Sequence, residues 1–266
     1  MSTPSGFDWD AAAILGSAGK RLRARDLEGA AEAIEEAVEW AESQGDGVSL
    51  AEALAATAGD VAPQLLEHVL ETELAAEFGA SAAELSAKWA LAEGGEGDDL
   101  LVTGGYGGLA SALATGTRVT LSQPVERVAL RDDGVEVTGP AGFRRTAGRV
   151  VATAPLGVLA AGKIRFEPEL PATHREALGR LKMGLLDKLW LRFEKPFWKE
   201  PAVFWTLVAP RGTPYREWIN LEPLTGEPVL LGLNGGDTAR AWASRSDAEH
   251  EEAALAALRA FLDAGW

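Results

Sequence analysis

The spacing of apolar residues predicts that residues 1–98 are helical. After Asp26, which we expect to cap a helix, apolar side chains from Leu27 to Ala41 fall on one stripe, and the glutamates lie mostly outside it. Two serines have a glutamate three residues on, which is the spacing of a capping box: Ser49 with Glu52 and Ser81 with Glu84. This region is therefore predicted to bury one face of its helices and to expose an acidic one.

From Leu100 onward the apolar period shortens toward the two-residue alternation of strands. Asp132-Asp133-Gly134 between two alternating runs predicts a hairpin. We expect strands over residues 100–103, 117–121, 124–130, 135–138, 149–153, 185–193, 203–208, 217–221 and 229–233. Helices are expected over residues 109–114, 174–181 and 247–262. A helical region, then a strand-rich one, then a mixed one predicts an α+β (mixed α/β) fold.

Composition and charge exclude several classes of protein. The chain is 47% hydrophobic and 24% charged, as in ordinary globular proteins, and its apolar runs fall short of the roughly 20 residues of a membrane span. The apolar run at residues 11–15 follows Asp8 and Asp10 rather than basic residues, so it does not indicate a signal peptide. The net charge of -15 repels nucleic acids and attracts cations. We expect a cytoplasmic protein without nucleic-acid or membrane partners.

The sequence predicts no metal site. There is no cysteine, and His68, His174 and His250 lie in predicted helices among acids, so all three are predicted to be surface residues. The acids of the glycine-rich stretch 93–99 lack the alternating ligands of a calcium loop, so we interpret that stretch as a solvent-exposed loop. The sequence has no nucleophile elbow, zincin or Walker motif that would support hydrolysis or phosphoryl transfer.

Two short stretches have a pattern with chemical meaning. Gly105-x-Gly107-x-x-Ala110 has the spacing of a dinucleotide fingerprint, but the next predicted strand ends in Ser122-Gln123 without the ribose-binding carboxylate, so we interpret it as a glycine-rich turn before a helix. In LLDKLWLRF, residues 185–193, alternation places Lys188 on one face with Leu186, Trp190 and Arg192. Lys188 is either a surface residue or a partly desolvated amine that holds a water or tunes a cofactor.

Several motifs follow one another in an order that is typical of a known protein family. They are GGYGGLASALA (104–114), RVTLSQPVERVAL (118–130), GVEV (134–137), RVVATAPLGVL (149–159), IRFEPELP (164–171) and MGLLDKLWLRFEKPFW (183–198), preceded by LSAKWALAEGGEGDDLLV (85–102). Their order resembles the middle section of the FAD-dependent amine oxidases, the family of monoamine oxidases, polyamine oxidases and flavin-dependent histone demethylases. The resemblance implies oxidation of a small-molecule amine, with hydride passing to FAD and then to molecular oxygen as hydrogen peroxide.

The resemblance also implies roles for single residues. Val125 matches the position whose main chain contacts the adenine of FAD, and Thr153, Ala154 and Pro155 match a strand end near the flavin nucleotide. Lys188 matches the lysine that holds a water against N5 of the flavin ring. Leu186, on the same strand face, would line the amine cavity, and Trp198 is expected in the core.

The sequence departs from the family in two ways. The G-x-G-x-x-G motif and its ribose-binding glutamate are missing before Leu100, and the C-terminal motif of the family is missing as well. We therefore expect an internal piece of an amine oxidase that does not bind FAD autonomously and is inactive alone. Its predicted parts are a helical part of the substrate domain (1–98), a slice of the FAD-binding domain (99–160) and a sheet-containing part of the substrate domain (161–266).

Other interpretations remain open at this point. The chain could be a non-catalytic binding or assembly module, or one half of a split flavoprotein completed by a separate FAD-domain chain. It could form a homo-oligomer. A related flavoenzyme, such as a desaturase or a protoporphyrinogen oxidase, is a third interpretation, although the TAPLGVL and DKLWLRFEKPFW runs resemble amine oxidases more closely.

Overall fold

The computed structural model describes residues 12–16, 19–91, 102 and 105–266. The chain divides into two compact units. The larger unit combines Met1–Leu100 with Gly184–Trp266, and the central unit is Leu101–Met183. The central unit thus continues past residue 160, where the sequence analysis places a boundary.

The larger unit begins with strands. They are β1, Ala12–Leu15, and β2, Arg21–Leu22. The prediction that residues 1–98 are helical throughout was wrong here, because a short apolar run fits a strand or a helix equally well and pairing decides between them. β1 pairs in parallel with residues 204–207, which lie almost 200 residues further along the chain.

Helices follow the two strands. They are α1 (Glu28–Glu42), α2 (Leu50–Thr57), α3 (Pro63–Val69), a π-helical turn (Leu70–Ala75) and α4 (Ala76–Phe78). The predicted stripe of α1 is confirmed, since Ala30, Ile34, Ala37 and Ala41 are buried against α2. The capping box of Ser49 and Glu52 is confirmed at the start of α2. Asp26 instead accepts a hydrogen bond from the main chain of Arg23 in a 3-10 turn, and Ser81 precedes a turn, not a helix.

The central unit contains a four-stranded sheet with short helices. In chain order its elements are α5 (Tyr106–Ala114), β3 (Arg127–Arg131), β4 (Gly134–Thr138), β5 (Arg144–Ala147), α6 (Leu156–Ala160), β6 (Arg165–Glu167) and α7 (Ala172–Arg180). The sheet order is β5-β4-β3-β6, and the predicted hairpin at Asp132–Gly134 is confirmed by the pairing of Arg131 with Gly134. Glu136 on β4 is nearly buried beneath Arg127, Arg131 and Arg144, which lie 2.5–3.3 Å from its oxygens.

Two predicted strands of the central unit are not formed. Residues 117–121 and 149–153 have no strand partner in the described part of the chain, and Val119, Leu121 and Val151 are exposed. These two strand predictions were wrong, because alternation alone does not make a strand, which also needs a neighbour with which to exchange hydrogen bonds.

The last part of the chain returns to the larger unit. Its elements are β7 (Leu186–Arg192), β8 (Phe204–Leu207), β9 (Glu217–Asn220), α8 (Glu222–Thr225), β10 (Val229–Gly235), α9 (Gly236–Trp242) and α10 (Asp247–Asp263). The predicted strands and the final helix are confirmed. Together with β1 and β2 the strands form a six-stranded sheet in the order β2-β1-β8-β9-β10-β7.

The two faces of this sheet have different partners. On one face Trp205, Trp218 and Leu189 pack with Leu258 and Phe261 of α10, and Trp198 joins this core as expected. On the opposite face the π-helical turn approaches β10 so closely that a Cβ on Gly235 would lie 2.1 Å from the carbonyl oxygen of Ala75. This contact fixes the position of the helical segment 63–78 on the sheet.

Candidate functional site

Lys188 lies on the sheet face opposite the tryptophan core. The predicted alternation is confirmed: Lys188, Trp190 and Arg192 are exposed, whereas Leu189 and Leu191 pack on the core. Strand pairing places Lys188 opposite Leu233 of β10, and Leu233 opposite Glu217 of β9. Side chains that pair directly across strands share a face. Lys188 and Glu217 therefore lie in one row on the same face.

Glu217 is the most perturbed carboxyl group near this row. It is half-buried, and its Oε2 atom is enclosed without a hydrogen-bond partner in the described part of the chain. Burial, with a smaller effect of the nearby charge of Glu73, raises the pKa of Glu217 to about 8. A nearby cation would stabilise the ionised form of such a carboxyl group, because opposite charges attract.

Arg216 precedes Glu217 and is only 3% exposed. Its Nε donates to the carbonyl oxygen of Thr213 at 3.1 Å, and its Nη2 lies 3.8 Å from Oε1 of Glu67 on α3. Burial lowers the pKa of Arg216, although Glu71 and Glu67 oppose that effect. A buried charge thus lies between the helical segment and the sheet.

His68 contradicts its prediction as a surface residue, since it is 1% exposed. It lies on α3, where burial, helped by the charge of Arg216, lowers its pKa to about 4 despite a main-chain hydrogen bond with Leu207. The surface interpretation was wrong because the acids around His68 in sequence suggested a solvated helix, whereas α3 is covered by the sheet. His174 is exposed as predicted, and His250 is half-buried.

Tyr215 supports the row from the core side. Its φ of 54° lies in the left-handed region, which is uncommon for a bulky residue. Its main-chain N–H donates to Oδ1 of Asn234 at 2.7 Å, and its hydroxyl shares a hydrogen bond with Nδ1 of His250. Burial raises the pKa of Tyr215 to about 12. The hydrogen bonds to Asn234 and His250 therefore stabilise the strained turn at Tyr215. The turn determines the orientation of the main chain at Arg216 and Glu217.

The residues that the resemblance connects with FAD lie in the central unit. Val125 precedes β3, and Thr153 and Ala154 lead to Pro155, which caps α6. The main-chain groups of Val125, Thr153 and Ala154 make no hydrogen bond within the described residues. Free N–H and C=O groups suit the donors and acceptors of an adenine or a ribose, so these positions fit that part of FAD. Lys188 and Leu186 belong to β7 in the larger unit.

The described residues contain neither a metal-ligand cluster nor a membrane-spanning helix. No group of three or more His, Asp or Glu side chains in them is arranged to hold a metal ion, and the acidic stretch 93–99, which the sequence analysis interprets as a loop, lies outside them. In the same ranges, no helix is both long and apolar enough to cross a bilayer.

Comparison with known proteins gives consistent results. The sequence model of the family described as "Flavin containing amine oxidoreductase" matches residues 12–265. Polyamine oxidase 4 of Oryza sativa subsp. japonica is 35% identical over 193 residues, covering 71% of this chain and 39% of that protein. Lysine-specific histone demethylase 1 homolog 1 of the same organism is 36% identical over 167 residues, covering 61% of this chain and 19% of that protein.

The fold has a counterpart among solved structures. A wild-type putrescine oxidase bound to putrescine superposes with a TM-score of 0.74 at 22% identity, over 94% of this chain and 63% of the other. This chain therefore spans under two fifths of the length of the two plant proteins reported above and under two thirds of that oxidase.

Proposed function

Because this chain belongs to the flavin-containing amine oxidoreductase family, whose cofactor is FAD, we propose that it acts in the oxidation of a cationic amine. When bound, FAD would supply the redox chemistry, namely acceptance of hydride from the carbon next to the amine nitrogen and transfer of the electrons to oxygen, which would become hydrogen peroxide. The protein supplies position and electrostatics. The similarity to a polyamine oxidase and a histone demethylase favours this function over that of a desaturase or a protoporphyrinogen oxidase.

We assign to this function the residues that the resemblance implies. Val125, Thr153, Ala154 and Pro155 would hold the nucleotide part of FAD through main-chain groups. Lys188 would hold a water molecule at the reacting end, without removing a proton itself, and Leu186 would line the amine cavity. The exposed ammonium group of Lys188 is free to do so, since it makes no ion pair within the described residues.

The observation that supports an amine with two or more charges is the row that joins Lys188 to Glu217. Neighbouring strands lie about 4.8 Å apart, so the two residues are separated by about 10 Å across Leu233. An amine that reacts near Lys188 could place a second ammonium group at Glu217. The net charge of -15 attracts such a substrate over a long range. The proposed substrate class is therefore a diamine or polyamine.

The experiment has two arms on the purified chain. Visible absorption after addition of FAD and removal of the excess tests cofactor retention, and peroxide release is then measured with putrescine, spermidine, butylamine and an amino acid. Isothermal titration with the same amines tests the amine site even without flavin. Peroxide or binding that favours the diamine and polyamine over butylamine supports the proposal, and equal responses to all four compounds would reject the substrate class.

A second function rests on the unpaired segments 117–121 and 149–153. Exposed apolar side chains on segments that pair with no strand of the described chain form a surface that another chain can cover. We infer that a separate chain carrying an FAD-binding domain could pair there, so that the two chains form one flavoprotein. This function predicts that the purified protein is colourless, and that it turns yellow and releases peroxide only when the FAD-domain chain is added. A second copy of this chain is the alternative occupant, and light scattering would detect it.

A further inference from the structure

A small, partly open cavity of about 10 Å³ lies behind Glu217, between the sheet and the helical segment. Its walls include Glu71, Thr72 and Ala76 from the helical side and Arg216, Glu217 and Asn234 from the sheet side. A space of this size holds about one water molecule. All of these residues belong to the larger unit.

Several polar atoms of the residues that line this cavity are unpaired. Nη1 and Nη2 of Arg216, Nδ2 of Asn234 and Oε2 of Glu217 are all enclosed without a hydrogen-bond partner in the described part of the chain. Arg216 and Asn234 are each only 3% exposed. The carboxylate of Glu67, at 3.8 Å, is too far from Arg216 for a hydrogen bond. Buried polar groups are normally satisfied, by ordered water if not by protein.

The surrounding charges decide what kind of occupant fits. The guanidinium group of Arg216 disfavours a cation, and the carboxyl group of Glu71 disfavours an anion. The walls offer donors on Arg216 and Asn234 and an acceptor on Glu217, and a neutral molecule that both accepts and donates meets all of them. We propose that this cavity holds one ordered water molecule that accepts hydrogen bonds from Arg216 and Asn234 and donates one to Oε2 of Glu217.

The water would position the carboxyl group of Glu217. A donor at Oε2 stabilises the ionised form and fixes the plane of the carboxylate, which leaves Oε1 for a ligand. The water would also bridge Arg216 and Glu217 by hydrogen bonds, in place of a direct ion pair. This consequence for amine binding rests on the proposed function, whereas the water site itself does not.

A crystal structure of the chain, resolved well enough to place waters, tests the site directly. The expected result is one peak at about 2.7–3.2 Å from nitrogen atoms of Arg216 and Asn234 and from Oε2 of Glu217. An empty cavity, or Arg216 shifted into direct contact with Glu217, would overturn the proposal. So would an anomalous peak in the cavity after a soak in bromide or rubidium, since it would identify an ion. No flavin or amine is needed, so this result is independent of whether the chain oxidises amines.

A solution experiment with a matched pair of variants provides the second test. Magnetic relaxation dispersion of ¹⁷O-enriched water counts long-lived internal waters. Ala76→Val fills the cavity from the helical side, and Ala83→Val makes the same change at an exposed position of the same unit. We expect Ala76→Val to lose one long-lived water relative to the wild type and Ala83→Val to lose none. An unchanged count in Ala76→Val would reject the bound water.

Discussion

Lys188 and Glu217 lie in the same cross-strand row of the six-stranded sheet and are separated only by Leu233. The lysine is exposed, whereas the glutamate is half-buried. The row therefore places an exposed ammonium group and a desolvated carboxyl group on one face of the sheet, and both have a role in the proposed amine site. The first predictions test these two groups separately.

If Lys188 holds a water molecule at the reacting end as proposed, Lys188→Met should slow the reaction of the reduced flavin with oxygen about 100-fold in FAD-loaded protein, because that water would be lost. Stopped-flow absorbance would follow the reduced flavin. Arg192→Met is the matched control, because Arg192 is exposed on the same face of the same strand and forms an ion pair with Glu227 at 2.6 Å. Equal rates in the two variants would remove Lys188 from the proposed site.

Glu217→Gln should raise KM for putrescine about 10- to 100-fold, since a hydrogen bond between charged groups contributes roughly 1.5–3 kcal/mol. KM for butylamine and kcat for both amines should change little, because a monoamine has no second ammonium group to place at Glu217. Glu227→Gln, at an exposed position of the same unit, is the control. A parallel rise in KM for both amines would indicate general disruption of the site, not a second ammonium site.

The binding of diamines should strengthen as the pH rises through about 8, the pKa to which burial raises Glu217. Below that value the carboxyl group of the free protein is protonated, and a cation must displace its proton before it can bind. Isothermal titration of putrescine between pH 6 and 9 would measure this dependence, and Glu217→Gln should abolish it. A pH-independent affinity in the wild type would show that Glu217 does not meet the ligand.

The sequence predicted the strand that carries Lys188 but not the surroundings of Glu217. Alternation within β7 and the hairpin at Asp132–Gly134 are local patterns, so they can be read from a few consecutive residues. The burial of His68 and Arg216 depends instead on contact between a helix and strands about 150 residues apart. One local sign was present, because Glu217 begins a predicted strand and is followed directly by the apolar pair Trp218-Ile219. A charged residue beside apolar residues of a strand indicates a polar cluster or a site.

His68 should make the fold sensitive to acid. Its pKa is lowered to about 4 in the folded protein from 6.5, so between these values the unfolded chain binds a proton that the folded chain does not. The free energy of unfolding should therefore fall as the pH drops from 6.5 to 4, by about 3 kcal/mol at 1.4 kcal/mol per pKa unit. Urea unfolding across this range would measure the slope. The exposed His174 is the control: His68→Leu should flatten the slope and His174→Leu should not.

Gly235→Ala should lower the free energy of unfolding by disturbing the contact between the helical segment and the sheet that it covers. An added Cβ would lie 2.1 Å from the carbonyl oxygen and 2.4 Å from the carbonyl carbon of Ala75, and neither main-chain atom can move without shifting the π-helical turn. Overpacking of this kind costs about 1–3 kcal/mol. Gly29→Ala in α1 is a control of opposite sign, since its Cβ would meet nothing within 4 Å and alanine favours a helix by up to about 1 kcal/mol. Urea unfolding of both variants gives the comparison. Equal stability of Gly235→Ala and the wild type would mean that the turn does not lie against β10 in solution, and the cavity behind Glu217 would then be open.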